Sequence, residues 1–97
     1  MTDIDINSTS LQGQITANYA DLVTAFGTPL AGDAYKTDAE WHLRSDTGTI
    51  ASVYNWKNGP AYCGSDGTPV AQITRWNIGG RSHEAVELVE RLLGRIV

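Results

Sequence analysis

With 97 residues and 41% hydrophobic content, the chain is long enough for one buried core and too short for two, so residues 1–97 are expected to form a single domain. Eleven acids against seven bases leave a formal charge of −4, which disfavours direct nucleic-acid binding, and no apolar run reaches the ~20 residues needed to cross a bilayer. The lone Cys63 excludes an internal disulfide and offers no metal-ligand spacing, and with the acidic start Met1-Thr2-Asp3-Ile4-Asp5 it points to the cytoplasm as the expected compartment.

Weak alternation of Ile4, Ile6, Leu11 and Ile15 predicts one or two short strands broken near Asn7-Ser8. Tyr19, Leu22, Val23 and Phe26 then recur at i, i+3, i+4 and i+7, the apolar stripe of a short helix that Asn18 can cap and Gly27 and Pro29 can end. Residues 30–38 are small and polar and are expected to be a loop. Trp41, Leu43 and Ser45 alternate with His42 and Arg44, Asp46-Thr47-Gly48 supplies turn chemistry, and Thr49 to Lys57 is rich in β-branched and aromatic residues, so the pair reads as an antiparallel hairpin. Ile50, Ser52, Tyr54 and Trp56 fall on one face of its second strand, and Ala51, Val53 and Asn55 on the other.

A loop of roughly a dozen residues follows, through Asn58-Gly59-Pro60 and Gly64 to Pro69. Val70 to Ile78 predicts a third strand, entering a turn at Gly79-Gly80 and a closing helix capped by Ser82, with Ala85, Val86, Leu88, Val89, Leu92, Leu93 and Ile96 on its apolar face. The order β(β)αβββα groups the strands together. It predicts an α+β fold of two layers, an antiparallel sheet of about four to five strands with two helices packed on one face.

Two groups of residues stand out for function. Gly79 and Gly80, with Arg75, Arg81 and His83 nearby, would offer free amides and, if Arg75 and Arg81 converge, positive charge to a phosphate or carboxylate, although two glycines before a helix equally serve a sharp turn. Trp41, Tyr54, Trp56, Tyr62 and Trp76 supply aromatic area for a stacking platform or a protein hot spot, or else part of the core; the helices are too short to cover both faces of the sheet, so one or two of the five are expected at the surface. His42, His83 and Cys63 form no nucleophile motif, and the spacing of Asp33, Asp38 and Glu40 does not match a calcium loop. No cofactor or metal is implied.

The pattern Tyr19-x-x-Leu22-x-x-x-Phe26-Gly27-x-Pro29, then Lys36, Trp41, Gly48, Tyr54 and Lys57, then Trp76-x-Ile78-Gly79-Gly80 resembles a group of short bacteriophage accessory proteins, over roughly residues 18–90. The resemblance implies a protein made inside a bacterial host that acts by binding, to inhibit a host or anti-phage defence protein; it carries no catalytic residues to transfer. A sponge for a small phosphate-containing ligand such as a signalling nucleotide is the alternative, and a small hydrolase using His42 or His83 a third class. The sequence leaves homo-oligomer formation open.

Overall fold

Side chains alternate across a strand, and here the alternation gives the sheet one covered face and one open face. The computed structural model describes residues 9–31 and 36–94. Strands β1 (Ser10–Thr16), β2 (Leu30–Ala31), β3 (Ala39–Arg44), β4 (Ile50–Tyr54) and β5 (Arg75–Gly80) pair antiparallel in the order β1-β5-β4-β3-β2. Helices α1 (Tyr19–Phe26) and α3 (Glu84–Leu92) lie on one face, and the four-residue α2 (Pro60–Cys63) sits between β4 and β5. The expected α+β architecture therefore holds, with five strands.

The covered face carries Ile15, Trp41, Ala51, Val53, Trp76 and Ile78, all buried, with Leu22 of α1 and Ala85, Leu88 and Val89 of α3 packed onto them. Burying a large apolar side chain stabilises by roughly 1.5–3 kcal/mol. Two indoles also fix α1 in place. Trp76 Nε1–H donates to the Ala17 carbonyl just before the helix, at 3.0 Å, and Trp41 Nε1–H donates to the Gly27 carbonyl at its end, at 2.8 Å. Tyr19 and Phe26 cover the same indoles from α1, with ring centroids 5.9–6.2 Å away. Gly27, at φ 90°, ends the helix as its residue type predicts, whereas Asn18 stands at the N-cap without a side-chain capping bond.

Several expectations need correction. Gly79 and Gly80 are not a turn: they complete β5, buried and paired to β1 and β4. Neither has positive φ; what demands glycine is close approach. A Cβ on Gly80 would lie 2.3 Å from Ala85 Cβ of α3, and one on Gly79 would lie 2.6 Å from Ser52 Oγ. The chain turns one step later, at residues 81–83, where Ser82 Oγ accepts from the Glu84 amide at 3.3 Å.

The strand expected from Val70 begins only at Arg75, because Pro69 opens a 3-10 turn in which its carbonyl accepts from Gln72 N–H at 2.8 Å. Conversely, Leu30–Ala31 of the expected loop forms a short edge strand against β3. The expected 58–69 loop contains α2 and a further 3-10 turn at Gly64–Asp66. The segment around Ile4 and Ile6, Asp33 and the Arg95-Ile96 end of the closing helix lie outside the described residues.

Candidate functional site

Neither α1 nor α3 covers the second face of the sheet. Pairing aligns one row across all five strands, Leu30, Glu40, Tyr54, Asn77 and Gln14, and beside it a row of His42, Ser52, Gly79 and Leu11. Apart from Leu30 the first row is polar, and it is bonded within itself and to the second: Gln14 Nε2–H donates to Asn77 Oδ1 at 2.9 Å, Asn77 bonds to the Tyr54 hydroxyl, and Glu40 Oε2 meets His42 Nε2 of the neighbouring row. Burial raises the Tyr54 phenol above its ordinary pKa; the Asn77 hydrogen bond opposes the shift and the charge of Glu40 adds to it.

The second row is low. Gly79 has no side chain and Ser52 is small and buried, so a groove of about 240 Å³ opens there, walled by Leu11 on β1 and by Tyr54 and Trp56 beyond, with Thr37 and Glu40 at its end. Leu11 is 58% exposed and Trp56 45%.

At the Trp56 end the loops bring cations to the rings. Lys57 is the one described non-glycine residue with positive φ, at 58°. Its amide donates to the Lys36 carbonyl at 2.8 Å, and its carbonyl accepts from Cys63 Sγ at 3.3 Å. These bonds bring Lys36 and Lys57 side by side. Lys36 Nζ stands 5.4 Å and Lys57 Nζ 5.8 Å from the Trp56 ring centroid, and Lys57 Nζ also lies 5.3 Å from that of Tyr62. Tyr54 meets Trp56 edge to face at 6.2 Å, and Tyr62 is 41% exposed.

Beneath this cluster sits a buried polar knot. Asn55 Oδ1 accepts from the Asp38 and Ala39 amides at 2.8 and 3.0 Å, and its Nδ2 donates to Asp38 Oδ1 and Asn58 Oδ1, both at 3.0 Å. Asp38 Oδ2 accepts from the Ala61 amide at the start of α2, also at 3.0 Å. Asp38 is thus occupied in holding loops together. Among the described residues no group of three or more His, Cys, Asp or Glu could hold a metal ion.

The eight residues singled out from the sequence separate. Tyr54, Trp56 and Tyr62 come together at one end of the open face, and Gly79 floors the groove beside them. Trp41 and Trp76 are corrected to core, 2% and 0% exposed. Gly80 faces α3, and Arg81 is exposed at a separate recess with Thr47 and Thr49. Arg75 and Arg81 do not converge: Arg75 opens β5 and Arg81 follows its last residue, roughly 20 Å apart along the chain at ~3.3 Å per residue. No family model, curated protein or solved structure matches the chain. The phage-like motifs therefore rest on the sequence alone. Lys36, Leu11 and Ser52 were missed as site residues, because only the pairing of β1, β4 and β5 and the Lys57–Lys36 bond bring them to Trp56.

Proposed function

We propose that this protein acts by binding another protein through the Tyr54–Trp56–Tyr62 end of its open sheet face, and not by catalysis. The observation that carries the reading is Trp56: nearly half exposed, beside a groove, with two ammonium groups over its ring. Tryptophan and tyrosine dominate protein-binding hot spots because they bury large areas at small entropic cost. The groove is shallow and smaller than the roughly 300–1,000 Å³ of small-molecule pockets. Ordered strand pairing of Gly79 and Gly80, and the separation of Arg75 from Arg81, weaken the phosphate-ligand alternative. His42 faces Glu40 and Cys63 faces a backbone carbonyl, which gives a hydrolase no paired nucleophile and base.

In the finer form suggested by the phage-like motifs, the partner is a bacterial host or defence protein that this chain inhibits inside the cell. Among the described residues no helix is long and apolar enough to cross a membrane. The test is capture from bacterial lysate by the immobilised protein and by its Trp56→Ala and Tyr62→Ala variants, with melting temperatures measured in parallel. Expected is one protein retained by the wild type and lost with either variant while the fold persists. A rise in melting temperature with a nucleotide, and capture indifferent to Trp56 and Tyr62, would reverse the reading.

A further inference from the structure

Asn58-Gly59 is the one Asn-Gly pair in the chain, and packing dictates both residues. A Cβ on Gly59 would lie 2.3 Å from Asp38 Oδ1, and that carboxylate is pinned by Asn55 Nδ2–H and the Ala61 amide, each at 3.0 Å. No side chain fits there. Asn58 is held at two points: its Oδ1 accepts from Asn55 Nδ2–H at 3.0 Å, and its backbone carbonyl accepts from Thr68 N–H at 2.9 Å. Gly59 stands at the N-cap of α2, where its carbonyl accepts from Cys63 N–H at 3.0 Å. Asparagine is chemically labile, and most so before glycine, where no side chain shields the following nitrogen. The Gly59 nitrogen can bond to Asn58 Cγ while its proton leaves with the side-chain amide as ammonia. One water then opens the cyclic imide to aspartate or isoaspartate, with no oxidant or reductant taking part.

We infer that Asn58 is a modification site of this kind, closed in the folded protein and exposed by local release of residues 58–68. Forming the ring requires Asn58 to turn its carboxamide carbon onto the Gly59 nitrogen, and the bonds to Asn55 and Thr68 hold it against that rotation. Local opening frees it without unfolding the sheet. The change runs one way, because the ammonia is lost. Afterwards the loop cannot close as before: Asn55 Nδ2 donates to Asp38 Oδ1 as well as to Asn58, so a second carboxylate at position 58 sets two like charges on one amide. In the isoaspartate product the main chain also runs through the former side chain, which displaces the carbonyl that Thr68 holds. The site thus records that the loop has opened, whichever partner the Trp56 end takes.

The test incubates the purified protein, warm and mildly alkaline, beside a synthetic peptide of residues 54–62, and follows conversion at position 58 by peptide mass mapping. The folded protein should convert at least about tenfold more slowly than the peptide. Urea held below the global unfolding transition should raise its rate toward that of the peptide, and Asn55→Ala, where it stays folded, should lose most of the protection. The urea series needs no variant. Aged protein purified in the converted form, and Asn58→Asp, should both melt below the wild type. A folded rate equal to that of the peptide, or one that rises only with global unfolding, overturns the local gate. Converted protein and Asn58→Asp that melt with the wild type overturn the lasting change to the loop.

Discussion

Trp41 and Trp76 meet edge to face, their ring centroids 5.4 Å apart and their planes at 71°, while their N–H groups bond to opposite ends of α1. The pair is a bracket: each indole packs against its neighbour and the sheet and anchors one end of the same helix.

Trp76→Ala should cost about 3–5 kcal/mol, from lost burial and an unfilled cavity, a large part of the stability of a domain this size. Trp76→Phe should cost less, yet it leaves the Ala17 carbonyl without its donor, and the expected effect is local. Hydrogen exchange of the α1 amides should accelerate well before those of β4. Uniform acceleration across the sheet would show that the indole bond does not hold the helix.

Gly80→Ala sets a methyl group 2.3 Å from Ala85 Cβ, which cannot swing aside. The expected cost is about 1–3 kcal/mol by urea denaturation. Adding Ala85→Gly should restore stability relative to Gly80→Ala alone, even though glycine in a helix costs about 1 kcal/mol by itself. Additive losses would mean that the clash is not between these two positions.

Asn55→Ala removes four hydrogen bonds from a buried position and should destabilise by about 1–3 kcal/mol or more. Asn55→Asp should be worse at pH 7 than at pH 4, because a carboxylate would then face Asp38 Oδ1 and Asn58 Oδ1 where an amide now donates. Melting curves of the two variants across that pH range decide the point.

Tyr54 gives the alkaline behaviour. Its phenol is raised above the ordinary 10.0, chiefly by burial, so the folded state favours the protonated form. Its contribution to stability is fully present below pH 10 and is lost as the pH climbs through the folded value. In an ultraviolet titration one tyrosine should ionise later than the others, and Tyr54→Phe should flatten the fall in melting temperature above pH 10. An unchanged slope in that variant would assign the alkaline loss to another group.

Much of the fold could be read in the chain. The α1 stripe, the hairpin turned at Gly48, and the opposed faces of β4 all follow from periods of 3.6 and 2 and from turn chemistry, which are local. Gly79-Gly80 was misread because a glycine pair signals a turn locally, whereas its cause here is the approach of Ala85 and Ser52, set by packing. Trp41 and Trp56 both lie in strand-like stretches rich in aromatics. Only strand order and helix placement put one at 2% exposure and the other at 45%.

The position of β1 has a consequence for how the molecule is made. Its one partner among the described strands is β5, and Gln12 bonds to the Gly80 carbonyl across 68 residues. During synthesis the β3–β4 hairpin can close early, whereas β1 must wait, backbone unsatisfied, until Arg75–Gly80 has emerged. Such non-local pairing slows folding. A chain cut before Arg75 therefore loses more than its last strand and helix: it strands the first one as an open edge, the kind that pairs with other chains and aggregates.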